Sequence, residues 1–332
     1  MVTTLDRLDG PDRLRRRRSR PRLADTSFRY LTGAAAWLMI ALLAGTTAFL
    51  VDKAWPSLRQ YGIFGSLSSS RWAPSEAATS KGNPYGILQF VYGTVLTSFI
   101  GMLIAVPAAV AIALVVTDVA PRRMRRPLSW LIDLLAAIPS VVYGFWGIFA
   151  LIPALKPVVT DVNDTLGKVP VIGKVFAGPF FGLSYFTAGL ILAIMVLPII
   201  TAICREVFAT APVSEKEAAL ALGATKWEML RLAVLPRSRS GIVGAAILGF
   251  GRAIGETIAV TMVIGNSVLT ISTSIFGQGA TMPSVIANEF NEATEPFHLD
   301  SLFVVGLWLL VLALIVNVIG KIIVSRSGEH IA

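Results

Sequence analysis

Six stretches of this chain are apolar enough and long enough to cross a lipid bilayer, and that confines it to few folds. In lipid every backbone N–H and C=O must find a partner within the protein, so only helices and closed barrels span. A spanning helix needs about 20 consecutive apolar residues. The run "YLTGAAAWLMIALLAGTTAFLV" at 30–51 supplies them without one charge. The second run is 86–117, also charge-free and holding Pro107, and the third is 128–155, holding Asp133 and Pro139. The others are 180–203 with Pro198, 241–265, and 301–321. Charged residues make up 15% of the chain, against about 25% in soluble domains. The expected fold is all-α: a polytopic membrane protein with six transmembrane helices. The prolines are expected to kink their helices.

The net charge of +9 is not a nucleic-acid signal, because the cations cluster between apolar runs, as topology-setting charge does. Arg13, Arg15, Arg16, Arg17, Arg18, Arg20 and Arg22 precede the first run. Arg122, Arg123, Arg125 and Arg126 separate the second from the third. Arg205, Lys216, Lys226, Arg231, Arg237 and Arg239 separate the fourth from the fifth. The segment 266–300 has no Lys or Arg and carries Glu289, Glu292, Glu295 and Asp300. This alternation predicts both termini in the cytoplasm. It divides the chain into a basic cytoplasmic tail 1–29 that touches anionic membrane lipid, a six-helix membrane domain 30–323 and a cytoplasmic tail 324–332. The first run exceeds a signal peptide's apolar core and lacks an A-x-A site, so it reads as an uncleaved helix. The single cysteine, Cys204, allows no intrachain disulfide and reads as a small apolar helix residue.

The fifth run poses the functional question. In "GFGRAIGETIAV", 249–260, Arg252 and Glu256 lie four apart and share a face if the run is one helix. A charge near the bilayer centre costs at least about 2.5–3.5 kcal/mol on insertion scales. At 1.5 Å per residue Arg252 lies about 16 Å along the helix from Gly241, close to that centre. On a continuous helix Gly241, Ala245, Arg252, Gly255, Glu256, Ala259, Val263 and Asn266 form one small, polar stripe. Ile247, Phe250, Ile254, Thr257 and Thr261 lie opposite. Gly251 and Gly255 add a G-x-x-x-G spacing suited to close helix approach. The charged stripe is expected to face protein or a translocation path. Either the two charges form a structural pair, or Arg252 meets a passing anion with its planar, permanently charged fork while Glu256 orients it. Asp133 reads as a packing or helix-end partner, of Arg252 or of the basic loop.

Between the fourth and fifth runs lies "SEKEAALALGATKWEMLRLAVLPRSRSG", 214–241. Ser214 and Glu217 have capping-box spacing at the head of a short helix 215–222. Gly223 stands where a left-handed residue ends it. A second helix is expected from Thr225 to Leu235, closed by Pro236. Ala218, Ala219 and Leu222 share one face, and Trp227, Leu230 and Val234 another. So short an apolar hairpin on the cytoplasmic side needs a partner groove.

The spacing of Glu217, Ala218, Ala219 and Gly223 with Leu235 and Pro236 resembles the EAA loop, here 205–240, of permease subunits of ATP-binding-cassette importers. Ala233, where a larger apolar residue is frequent, is a mild departure. The blocks "IPSVVYGFWG" at 138–147 and "LGFGRAIGETIAVTMVIGN" at 248–266 resemble the C-type permeases of phosphate-specific importers in that family. The resemblance implies the type I importer permease fold and half of a translocation path for inorganic phosphate in the bacterial plasma (inner) membrane. The implied partners are a second, homologous permease subunit, two ATP-binding-cassette ATPase subunits and an external phosphate-binding protein. In the family the EAA loop carries the coupling helix, which inserts into a cleft on the ATPase. The resemblance gives importance to Arg252 and Glu256 without settling their roles.

No phosphate-binding G-x-x-x-x-G-K-[ST] occurs, so this chain is not expected to hydrolyse ATP itself; the resemblance implies that ATP and Mg are bound by the partner ATPase and that this chain carries no cofactor. There is no H-E-x-x-H, and the two histidines, His298 and His330, lie outside the apolar runs. Neither a metal site nor a catalytic set is visible, and no nucleic-acid partner is expected. The other readings are a permease for molybdate or sulfate, the A-type partner permease of the same phosphate system, and a secondary anion transporter or channel. The last would leave 214–236 without a purpose.

Overall fold

The chain is mostly helical, and its helices break where glycine or proline changes what the backbone can do. The computed structural model describes residues 23–77, 82–170, 173–269 and 271–328. The arginine run of the N-terminal tail and His330 lie outside the described residues. Among the described residues no strand forms, only the isolated bridges of Trp72 with Tyr85 and of Gly265 with Gly279. Among the described residues five helices are long and apolar enough to cross a membrane, and a bent pair, taken as one span, is the sixth.

The chain divides into two compact units, one ending at Phe49 and one beginning at Leu50. Helix α1, Leu23–Tyr61, runs through that division. Up to Phe49 its large apolar side chains are mostly exposed, Trp37 among them, as expected of a helix solvated by lipid. In the second unit Ala54, Ser57 and Leu58 are buried, and Ser57 shares a 2.8 Å hydrogen bond with Ser301. Gly62, at φ 77, ends α1 by donating its N–H to the Leu58 carbonyl at 2.9 Å.

Helix α2 is Leu88–Leu114 and continues as a π-helical turn, Val115–Val119. Helix α3, Arg122–Ala136, follows, then α4, Ser140–Leu166, and α5, Tyr185–Ala209. The centre of the unit is α5, whose Ile191, Leu192, Val196, Ile200, Cys204 and Phe208 form the core with α2. Cys204 is a fully buried packing residue. Two glycines allow the close approach of α2 and α5. A Cβ on Gly189 would lie 2.5 Å from Ile100, and one on Gly101 would lie 3.1 Å from the Gly189 carbonyl oxygen. Pro107 and Pro198 sit inside continuous helices.

Two expectations are corrected. The third span is not 128–155. Pro139 does not kink that run but divides it: α3 ends at Ala136, and Pro139 caps the helix that spans, Ser140–Leu166. A proline forces the residue before it out of helical geometry. The freed segment α3 carries four arginines at its start and exposed Trp130, Leu131 and Leu134 further on, an amphipathic pattern suited to a membrane surface. The fifth span is not one helix. Helix α6, Val213–Ala221, is followed by a helical turn Lys226–Met229 and then by α7, Arg239–Ile254. Helix α8, Ile258–Ile264, leaves α7 at 66°.

Helix α9, Met282–Glu289, starts from a Thr281 and Ser284 capping box, and α10, His298–Gly328, closes the unit. His298 therefore opens the last span rather than lying apart from it. Its Nε2 sits 2.8 Å from a Glu289 oxygen, which also accepts from the Trp72 indole at 2.8 Å. Tyr85 donates to the Pro296 carbonyl at 2.6 Å. Burial, first of all, pushes the Tyr85 hydroxyl up to about 12, so it keeps the proton that this bond uses.

Candidate functional site: a broken span and a cytoplasmic hairpin

The break in the fifth span is built from the residues that raised the question. Gly255 ends α7, Glu256 donates its N–H to Ala253 at 3.3 Å, and Thr257 starts α8. The two charges occupy opposite helix ends. Arg252 lies in the last turn of α7, where backbone carbonyls concentrate negative charge. Glu256 lies at the start of α8, and its Oε1 accepts the Ala259 N–H at 3.4 Å. Each end offsets about 0.3–1 kcal/mol of the cost of its charge. That answers part of the question: the backbone compensates both ions separately.

The pair itself is loose. Arg252 Nη2 and Glu256 Oε2 are 3.8 Å apart, beyond hydrogen-bond distance, and the arginine side chain is 54% exposed while the glutamate is 7% exposed. The single stripe expected of a continuous helix is therefore divided. Ala245, Glu256, Ala259 and Val263 face the interior, Arg252 faces out, and Ile254, expected on the opposite face, is buried. Nor do Gly251 and Gly255 make a tight contact within the chain: a Cβ on Gly251 would meet nothing within 4 Å, and one on Gly255 nothing closer than 3.8 Å. The face next to Arg252 is open.

The second group of predicted residues lies beyond the other end of α7, which at 16 residues is about 24 Å long. The capping box expected of Ser214 and Glu217 does not form, because Pro212 occupies the cap position of α6 and no side chain caps it. Glu217 and Ala218 are exposed and Ala219 is half-buried. Gly223 behaves as expected. At φ 86 it donates to Leu220 at 3.0 Å, while Ala224 donates to Ala219 at 3.2 Å, the two bonds of a Schellman ending.

The capping box belongs instead to Thr225 and Glu228. Backbone and hydroxyl donors from Thr225 hold the Glu228 carboxyl below its usual range. With a folded pKa lowered this way, the cap is intact at neutral pH and is lost as pH falls through that lowered value. The expected second helix widens into a π-helical turn, Leu230–Val234, and Leu235 and Pro236 lie in the turn that enters α7. Leu230 and Val234 are buried, but Leu222 is 90% and Trp227 62% exposed, so the faces assigned to them do not pack within the chain. A cleft of about 720 Å³ lies between α6 and this turn, lined by Ala218, Ala219, Leu222, Gly223 and Leu232 among others.

Asp133, expected in the third span, lies on α3 and accepts from Arg205 Nη2 at 3.1 Å. Its partner is thus in the basic segment and not Arg252. Sequence reasoning missed two ion pairs of α6: Lys216 with Asp118 at 2.6 Å and Glu215 with Arg237 at 2.6 Å. The one available signal was that Asp118 is the first charge after the long charge-free run.

Residues 101–328 match the family described as "Binding-protein-dependent transport system inner membrane component". The chain belongs to that family. This inner membrane component is 44% identical over 308 residues to the phosphate transport system permease protein PstC of Xylella fastidiosa, with 92% of each chain covered. It is 42% identical to PstC of Mesorhizobium japonicum, covering 92% of this chain and 91% of that one. It is 38% identical to PstC 2 of Mycobacterium tuberculosis, covering 91% and 92%. Among solved structures, a chain of the MetNI methionine ABC transporter in an inward-facing conformation is similar at a TM-score of 0.50 and 19% identity, covering 73% of this chain and 94% of that one. That likeness bears on the fold alone, which is the type I importer permease fold.

Proposed function

We propose that this chain is the C-type permease subunit of a phosphate importer in the bacterial plasma membrane. The observation that carries the reading is the outward-facing Arg252 at the break of the fifth span, in a chain whose curated relatives are phosphate permeases. Arg252 and the open glycine face beside it meet a second, homologous permease subunit across the translocation path. The guanidinium fork binds two phosphate oxygens at once and cannot lose its proton. Glu256 tempers that charge from 3.8 Å without occupying the fork, so the anion is held weakly and released.

The hairpin of α6 couples this path to energy. Glu217, Ala218, Ala219 and Gly223 present a short helix, with exposed Leu222 and Trp227 beside it, to a cleft on one of two ATPase subunits. These bind the ATP and Mg. Leu235 and Pro236 turn the chain from that contact into α7, so movement of α6 is passed along α7 to Arg252. A loaded phosphate-binding protein docks on the external side, ATP closes the ATPases, and the path opens outward. Both termini and the segment 205–240 are cytoplasmic, following the Lys/Arg alternation.

Two measurements test these assignments. In vesicles holding the whole importer, labelled phosphate is taken up with ATP, and excess unlabelled phosphate abolishes that uptake while sulfate and molybdate do not. Competition by either of those at equal concentration would assign the path to another oxyanion. In a background with Cys204→Ala, a cysteine placed at Ser240 is labelled from the cytoplasmic side and one at Glu292 from outside. Labelling of the Ser240 position in intact cells would reverse the topology.

A further inference from the structure

The helix α6 buries none of its residues. At nine residues it is too short to hold its shape unaided, since isolated helices below about 12–15 residues are marginal in water. Ala219 is partly buried against the core, and the charged side chains of α6 add the polar contacts that fix its position. Glu215 reaches Arg237 at 2.6 Å, but both side chains are nearly half exposed, and such pairs are weak. Lys216 is different. Its Nζ donates to Asp118 Oδ1 at 2.6 Å, with the lysine side chain 16% and the aspartate 10% exposed.

Asp118 lies in the π-helical turn that ends α2, and π-helical turns recur at functional sites because they displace one residue from the regular ladder. Here the displaced stretch is tied down a second time, by Arg125, whose Nε donates to the Ala120 carbonyl at 3.0 Å. The second carboxylate oxygen, Oδ2, is buried without a partner among the described residues. Lys216 is thus the cation that compensates Asp118, and this part-buried pair ties α6 to the end of α2.

We infer that the Lys216–Asp118 pair is the positioning link through which α6 drives the second span. The inference rests on the coupling role proposed for α6. Without the pair α6 loses its polar hold on the end of α2 and moves without it, and removing one charge alone also strands the other in a part-buried place. Hydrolysis continues on the partner ATPase, and transport no longer follows it. Neither residue touches substrate in this account.

The test uses the complete importer with its binding protein in proteoliposomes and measures phosphate taken up per ATP hydrolysed, with assembly followed by co-purification. Asp118→Asn combined with Lys216→Gln removes both charges and strands neither. This double variant assembles, hydrolyses ATP and loses roughly tenfold in phosphate per ATP, within the 5–150-fold span of typical coupling between sites. The exchange Asp118→Lys with Lys216→Asp restores the pair and the ratio. An unchanged ratio in the neutral variant, a parallel loss of uptake and hydrolysis, or an exchange that stays uncoupled overturns the inference. Gly223→Pro is run alongside. If it uncouples while the neutral variant does not, the link is wrong and the coupling role of α6 stands; if neither uncouples, the coupling role itself fails.

Discussion

Arg252→Gln is expected to abolish phosphate uptake in a complex that still assembles. The side chain is half exposed and its guanidinium makes no hydrogen bond within the chain to Glu256 at 3.8 Å, so the substitution removes little that holds α7 and α8 together. The 66° break survives, because Gly255 and the Glu256 cap on Ala259 create it. What is lost is the Arg252 cation on the open face, and with it the bidentate contact proposed for it, worth about 1.5–3 kcal/mol for a hydrogen bond to a charged group. Uptake assayed in vesicles, with assembly scored by co-purification of the ATPase, checks it. Arg252→Lys keeps the charge and loses the fork, and uptake stays poor. Full uptake by the Arg252→Lys variant would reduce the requirement to charge alone.

Gly223→Pro is expected to separate hydrolysis from transport. Proline fixes φ near −65° and has no N–H, whereas Gly223 sits at φ 86 and donates to Leu220. The Schellman ending is lost at a cost of about 2 kcal/mol or more, and the cost falls on an exposed turn. The membrane domain keeps its fold and the variant reaches the membrane. Phosphate-stimulated ATP hydrolysis then drops to the unstimulated rate. Glu217→Lys is expected to act in the same direction by reversing an exposed charge on the helix face proposed to meet the ATPase. Full stimulation in both variants would remove α6 from the coupling path.

Much of this was legible in the sequence because lipid leaves few choices. A run such as 301–321 has one stable form in a bilayer, so spans could be counted directly, and Gly223 could be read because few residues other than glycine reach a left-handed ending. The errors came where two local rules compete. Run 128–155 was long enough to span, yet Pro139 is a stronger boundary than hydropathy, and the spanning helix slid to Ser140–Leu166. Ser214 and Glu217 had the spacing of a cap, but Pro212 took the position first, leaving the capping box to Thr225 and Glu228. The break at Gly255 was hidden because periodicity assumes an unbroken helix. The Lys216–Asp118 pair joins residues 98 apart in the chain, and no local pattern records such a meeting.

The claim at the centre of this account is that Arg252 serves the passing anion and is not a brace for Glu256. The measurement that bears on it most directly is phosphate uptake by Arg252→Gln combined with Glu256→Gln, beside the single Arg252→Gln, in complexes shown to assemble. A brace would behave as a buried pair does: removing one partner strands the other charge, and removing both relieves it. In this structure the glutamate is capped independently by α8 and the arginine is exposed, so no such relief is expected. Uptake remains absent in the double variant, as in the single one. Recovery of uptake on removing both charges would contradict the account and make the pair a scaffold.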